Sequence, residues 1–170
     1  DIDGENEDDQ FGHSVALSSD GTILAVGASQ YWNDVKTGYV KVYEYDGTSW
    51  NQLGSNIAGD AYGDYSSAGK PGISLSSDGT ILAIGAAWYD VVGNYTDEGH
   101  VRVYEYDGNS WNQLGSDIEG QVKEGRSGSS VSLSSDGTIV AVGGTNLLGE
   151  GYNGEVRLYE YDGTSWNQLG

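Results

Sequence analysis

The sequence predicts an all-β protein of three β-propeller blades, each a four-stranded antiparallel sheet of about 57 residues. Two phrases recur three times, and each contains an Asp-Gly dipeptide between two β-type stretches. A threefold repeat of this kind indicates one structural unit per copy. The copies lie at residues 43–54, 104–115 and 159–170 for the first phrase, and at 18–23, 76–81 and 134–139 for the second.

The first phrase predicts a hairpin between the last two strands of a blade, which we call C and D. Residues 39–45 are rich in β-branched and aromatic side chains, as strands are. Asp46-Gly47 then turns the chain, because glycine tolerates a positive φ, and residues 49–53 return as strand D. The same conformation is expected at Gly108 and Gly163.

The second phrase predicts the hairpin between strands A and B. Residues 14–18 form strand A, Asp20-Gly21 turns the chain, and residues 22–28 form strand B. Strand B is apolar on both faces after its first residue, which is typical of a central strand covered on both sides. Gly21, Gly79 and Gly137 are therefore expected at positive φ. Hairpins favour a propeller over the alternative, a β-solenoid of parallel coils.

The repeat divides the chain into three blades at 1–55, 56–116 and 117–170. The second blade has extra residues between strands B and C and again before strand A, so length varies in the B–C and D–A loops. Loops on a rigid scaffold are where recognition residues concentrate. The three blades are expected to form a partial propeller, such as half of a six-bladed ring, cut between blades from a longer array.

Charge and composition exclude several classes of function. The formal net charge of −19 argues against nucleic acid and anionic membrane surfaces as partners. The absence of cysteine excludes disulfides, thiolate catalysis and zinc–thiolate sites. No apolar run approaches the ~20 residues that span a bilayer, so membrane insertion is not expected.

With the strands placed, the unit resembles the FG-GAP repeat, the blade of the integrin alpha-subunit propeller. Phe11-Gly12 corresponds to the FG, Gly27-Ala28 to the GA of GAP, and residues 38–43 to the strand that follows. The proline is missing from all three units, and the second and third units lack the FG pair. The resemblance implies an extracellular or cell-surface module for recognition or adhesion.

A calcium cofactor is not expected from the loop that often holds one in this family. Calcium takes about six to eight oxygen ligands, whereas residues 18–22 offer one carboxylate. The densest carboxylate run lies at the start of the chain, where Asp1, Asp3 and Glu5 are weak candidates for a cation site. The alternative is that this run is a solvated acidic loop.

Aromatic residues in the B–C loops are the candidates for ligand binding. Tryptophan and tyrosine outside a core offer a flat apolar face and a polar tip, and neighbouring Asp and Asn side chains suit sugar hydroxyls. The alternative is that these aromatic residues pack between neighbouring blades. The candidates are Tyr31, Trp32, Asn33, Asp34, Trp88, Tyr89, Asp90 and Asn94.

Other recurring residues have structural interpretations. Trp50 and its repeats Trp111 and Trp166 keep one fixed place on strand D, which predicts a largely buried packing position. Glu44 and its repeats are expected to face solvent or to pair with Lys41 and its repeats. The histidines, His13 and His100, are expected to be surface or strand residues without a catalytic role. No catalytic residues are predicted.

The leading function hypothesis is a non-catalytic extracellular module that binds a glycan or a protein through the B–C and D–A loops. The alternative is a structural element that forms a ring or filament by head-to-tail packing of blades, or that continues into further blades of a longer chain. An enzyme is disfavoured, because no unrepeated pair of carboxylates stands out as glycoside hydrolysis requires.

Overall fold

The computed structural model describes residues 1–5, 7, 9–29, 38–59, 72–88, 97–145 and 153–170. Among them there is no helix long and apolar enough to cross a membrane. The strands of the described residues are β1 (Ser14–Leu17), β2 (Ile23–Ala28), β3 (Tyr39–Tyr45), β4 (Trp50–Gln52), β5 (Ile57–Ala58), β6 (Ile73–Leu75), β7 (Ile81–Ala86), β8 (His100–Tyr106), β9 (Trp111–Gln113), β10 (Ile118–Glu119), β11 (Ser130–Leu133), β12 (Ile139–Gly144), β13 (Glu155–Tyr161) and β14 (Trp166–Leu169).

Each blade is an antiparallel meander, which confirms the predicted fold class. In the first blade β1 pairs with β2, β2 with β3 and β3 with β4, so the order is A-B-C-D as predicted. The second blade repeats this order with β6 to β9, and the third with β11 to β14. The first-blade strands lie within one residue of their predicted ends.

The fourth strand position is interrupted in the first two blades. β4 pairs with the second half of β3, while β5 pairs with its first two residues, so Ile57 lies opposite Val40. Gly54, at φ 68°, lies between the two segments. The sequence did not predict these two-residue segments, because one buried Ile in a polar stretch has no strand periodicity. Residues beyond the predicted boundary at 55 thus pair with the first sheet.

The core lies between the sheets, as in a propeller, rather than inside one of them. Two apolar clusters join the first sheet to the second and the second to the third. The first cluster contains Ile23, Ala25, Val40, Val42 and Ile57 with Leu75, Leu82, Ile84, Ala86 and Tyr104. The second contains Ile81, Ala83, Val101, Val103 and Ile118 with Val140, Val142 and Tyr159.

The Asp-Gly turns have the predicted conformation, and aspartate closes them. Asp20 Oδ1 accepts hydrogen bonds from the Thr22 amide at 2.9 Å and from the Ser18 hydroxyl at 2.7 Å. These donors lower the pKa of Asp20 to about 2. The carboxylate therefore closes the turn. All six predicted glycines have positive φ: Gly21 75°, Gly47 96°, Gly79 76°, Gly108 96°, Gly137 73° and Gly163 97°.

Four apolar side chains of the first and last blades are exposed. On the first blade Val15 is 63% exposed and Leu17 58%; on the last blade Val156 is 69% exposed and Leu158 43%. Residues at the same repeat positions in the second blade are covered, and Val101 is 0% exposed. The second blade lies between the other two, which cover both of its faces.

Candidate recognition rim

The antiparallel order brings both variable loops to one end of the blades. Strands B and D run in the same direction, so the B–C and D–A loops leave the sheet at the same end, and the repeated A–B and C–D turns lie at the other. We call the first end the variable rim and the second the constant rim. In the described residues the variable rim comprises 9–13, 29, 38, 87–88, 97–99, 120–129, 145 and 153–154.

Trp88 is the predicted ligand-binding residue that the structure describes. It is half-buried, and the Arg126 guanidinium carbon lies 3.8 Å from the centre of its ring in a cation–π contact. Arg126 is itself held by Asp97, with 3.2 Å between its Nη2 and the carboxylate. Arg126 lies in the loop between β10 and β11, so Trp88 packs on the D–A loop that leads into the third blade. The contact also fixes the ring at the rim.

The other predicted binding residues lie outside the described residues, so the structure does not test their placement. These residues are Tyr31, Trp32, Asn33, Asp34, Tyr89, Asp90 and Asn94.

The variable rim also contains the residues other than glycine that have a positive φ in the described ranges. Arg126 and Asp97 have φ of 49° and 40°, and Gln10 and Glu124 have 49° and 59°. This conformation is uncommon for residues with a Cβ and is often found at functional sites. The constant rim uses glycine at its turns instead. These four residues were not predicted from the sequence, because their neighbours do not form a turn motif.

Glu5, one of the three predicted cation candidates, forms an ion pair with a lysine. Glu5 accepts a hydrogen bond of 2.7 Å from Lys41 Nζ, and nearby Asp9 accepts one of the same length from the Tyr39 hydroxyl. Asp1 and Asp3 are exposed, and no group of three metal-ligating side chains occurs in the described part of the chain. Burial and Asp9 together raise the pKa of Tyr39.

The basic residues of strand C do not pair with the recurring glutamates. Lys41 is buried and pairs with Glu5, while Arg102 at the same repeat position donates to Asp117 at 2.9 Å. Glu44 and its repeats Glu105 and Glu160 are exposed. The solvent-facing alternative is therefore correct for these glutamates, because strand alternation puts them on the opposite face from the nearby basic residue.

His100 is a strand residue, as expected, and it is fully buried rather than at the surface. Burial, together with nearby Arg102, lowers its pKa to about 4, although Asp117 opposes this shift. Its repeat equivalents are Tyr39 and Glu155, so the repeat pattern contains no signal for a buried histidine at this position.

A serine–histidine contact at the variable rim was not foreseen from the sequence. Ser29 Oγ lies 3.1 Å from His13 Nδ1 and donates to Gln10 Oε1 at 2.8 Å. A hydroxyl nucleophile must reach its substrate, but Ser29 is 0% exposed. The contact therefore has the geometry of a structural hydrogen-bond network that holds the loop before β1 against the end of β2.

Comparison with known proteins shows the fold. No family model matches the sequence, and no curated protein does. Solved structures do match. One is TolB from Acinetobacter baumannii, which is 15% identical and has a TM-score of 0.50; the match covers 94% of this chain and 32% of the TolB chain. A second match is prolyl oligopeptidase B from Galerina marginata, bound to a hydrolysis and macrocyclization substrate, at 12% identity and a TM-score of 0.56, over 94% and 22%. This chain has a β-propeller-type fold.

The chain spans about a third of the TolB chain and less than a quarter of the oligopeptidase chain. At these identities the likeness extends to the architecture of the blades and not to activity.

Proposed function

We propose that the chain is a non-catalytic recognition module that binds a protein or glycan partner through the variable rim. The supporting observation is that the loops that vary between repeats lie at one rim, while the turns that repeat lie at the other. The turns of the constant rim repeat almost unchanged in all three blades, whereas both loops of the variable rim differ in length and sequence. A scaffold that repeats its sheets and varies one rim is arranged as binding proteins are.

The fixed aromatic ring of Trp88 is the anchor of this rim. Tryptophan is enriched at binding hot spots because it offers a large rigid surface at low entropic cost. Here the Arg126 guanidinium, itself held by Asp97, prevents the ring from rotating freely. Undescribed candidates such as Tyr89 and Asp90 follow directly in sequence and are proposed to complete the site.

An FG-GAP-like identity for the blade is supported by how its motif residues meet. The Gly12 amide of the FG donates a 3.1 Å hydrogen bond to the Gly27 carbonyl of the GA. The third blade repeats this bond between Gly128 and Gly143 at 3.1 Å. On this basis we propose an extracellular or cell-surface location and a role in adhesion, without a cofactor.

A glycan array tests the proposal. The wild-type chain and Trp88→Ala are compared, with Thr48→Asn as the control, since the second blade has Asn109 at that turn position of the constant rim. We expect defined glycans to be bound by the wild type and the control and lost by Trp88→Ala. Binding that survives in Trp88→Ala with an unchanged melting temperature would contradict a site at Trp88. An array with no bound glycan would remove the glycan form of the proposal.

A further inference from the structure

A groove of about 290 Å³ lies between the second and third blades. One of its walls is the chain segment that contains β10, and the other is formed by residues of β13 and β14. This volume is at the lower limit for small-molecule sites, so the groove fits a small ligand or one group of a larger ligand. Its lining includes Ser116, Asp117, Ile118, Glu119, Tyr159 and Trp166.

The aromatic wall of the groove is held in a fixed position. Trp166 Nε1 donates a 2.9 Å hydrogen bond to the Leu114 carbonyl, and the Tyr161 ring lies 5.1 Å from the Trp166 ring, centre to centre. Ile118 and Tyr159 pack with Trp166 in the second apolar cluster and are 4% and 7% exposed. Trp166 itself is half-buried, and its only polar donor is already used. What this wall offers a ligand is therefore an apolar and π surface.

The opposite wall carries two carboxylates. Asp117 and Glu119 lie on the same side of their segment, because side chains alternate along a strand and Ile118 points into the core. Asp117 accepts hydrogen bonds from Arg102 Nε at 2.9 Å and from Gln113 Nε2 at 2.6 Å. Since Arg102 offsets the charge of Asp117, exposed Glu119 supplies most of the negative charge of the groove. Among the described residues that line the groove, none is basic.

The repeat supplies an uncharged counterpart of this groove between the first and second blades. Its aromatic residues are Tyr104 and Trp111, which pack in the first apolar cluster, and Trp111 donates to the Leu53 carbonyl at 3.1 Å. The facing segment has Asn56 and Ala58 at the two positions that are acidic in the second groove. The two grooves thus share one frame and differ by two carboxylates.

We propose that the groove between the second and third blades binds a small organic ammonium ion, with Glu119 as its counter-ion and the Trp166 ring as its cation–π partner. Ammonium groups are recognised by aromatic faces, and the alkyl groups of a methylated ammonium would contact the apolar wall. The net charge of −19 attracts cations at long range. The counterpart groove lacks the charge, so one site per chain is expected. This inference does not rest on the proposed recognition function.

Titration with choline, followed by NMR of the tryptophan indole N–H groups, tests the proposal. Trp111→Phe and Trp166→Phe assign the two signals, and sodium chloride at equal concentration controls for salt. Choline should shift the Trp166 signal and leave the Trp111 signal in place. Dimethylbutanol, the neutral isostere of choline, should bind at least about tenfold more weakly. The proposal is overturned if choline up to about 50 mM leaves Trp166 unshifted, or if the isostere binds equally well.

Variants of the two grooves test the role of the carboxylates. Glu119→Gln keeps the size of the side chain and should weaken choline binding by about fivefold or more. Glu44→Gln, at an exposed glutamate of the first blade, is the matched control and should have no effect. Asn56→Asp combined with Ala58→Glu should make the Trp111 signal respond to choline. Unchanged affinity in Glu119→Gln, or a silent Trp111 in the double variant, would contradict recognition by these carboxylates.

The same ammonium group occurs in free choline compounds and in choline lipids, so flotation with phosphatidylcholine vesicles is a second arm of the test. Vesicle binding that is lost in Glu119→Gln would identify a lipid head group as the source of the ammonium ion. Binding of soluble choline without binding of vesicles would identify a free ammonium compound. Binding of neither overturns the proposal.

Discussion

Gly79 of the second blade packs against Ile23 of the first so closely that a Cβ at Gly79 would lie 2.6 Å from the Ile23 Cβ. The equivalent Gly21 has the same φ within a degree, yet nothing among the described residues lies within 4 Å of the corresponding position. One turn sequence therefore has two environments, and the difference between them is the neighbouring blade.

Replacing these two glycines separates backbone strain from packing between blades. Gly21→Ala should destabilise the chain by about 1 kcal/mol, because a left-handed conformation disfavours a Cβ. Gly79→Ala should cost about 1–3 kcal/mol more, because the added methyl group overlaps Ile23. Urea unfolding measures both. Equal losses would show that the blades do not pack as described.

The tryptophan contact between blades should contribute measurably to stability. Trp166→Phe removes the indole donor and should lower the free energy of unfolding by about 1 kcal/mol or more, because the Leu114 carbonyl loses its partner. Trp50→Phe is the matched control, since Trp50 holds the same repeat position and, among the described residues, its indole makes no such contact with another blade. The pair is compared by urea unfolding. A larger loss for Trp50→Phe than for Trp166→Phe would contradict the assignment.

Buried His100 should make the protein sensitive to mild acid. Its folded pKa of about 4 lies below the ordinary value of 6.5, so the unfolded chain binds the proton first as pH falls. The free energy of unfolding is therefore unaffected by His100 above about pH 6.5, and it declines by up to roughly 3 kcal/mol as the pH falls towards 4. Urea unfolding at a series of pH values measures this slope. His100→Gln should abolish it whatever its effect at neutral pH; an unchanged slope would assign the titration elsewhere.

A separate loss of stability is expected at lower pH from the turn aspartates. Hydrogen bonds lower the pKa of Asp20 and Asp136 to about 2, so their contribution is present above the ordinary value of 3.8 and declines as pH falls towards 2. The histidine and aspartate windows do not overlap, which lets one pH series distinguish them. Asp20→Asn should flatten the curve only below about pH 4.

The cation–π contact at the variable rim predicts a change in fluorescence quenching. The Arg126 guanidinium covers the Trp88 ring, so Arg126→Ala should increase acrylamide quenching of Trp88. Subtracting the signal of Trp88→Phe isolates that residue from the other four tryptophans. Lys123→Ala, a change at an exposed residue of the same loop, should leave quenching unchanged. No increase in Arg126→Ala would mean that the ring is shielded by other groups.

Strands and turns were predictable from sequence because their causes are local. Asp46-Gly47 turns the chain whichever neighbours surround it, since glycine alone is comfortable at φ 96° and the aspartate closes the turn with its own side chain. The alternating residues before it form strand C for an equally local reason. Three copies of these patterns determine three antiparallel blades.

Only the tertiary structure decided which side chains meet across blades. Trp50, Trp111 and Trp166 share one sequence environment and were expected to be largely buried, yet all are half-buried, and Trp111 and Trp166 each donate to the blade before them. Likewise His100 is fully buried, although the equivalent residue of the third blade is a glutamate, Glu155, a type usually found at the surface. The alternation of residues along a strand predicts which face of the strand a residue lies on. Whether the residue is buried on that face depends on whether a neighbouring blade covers it, and nearly identical repeats cannot predict which copies are covered.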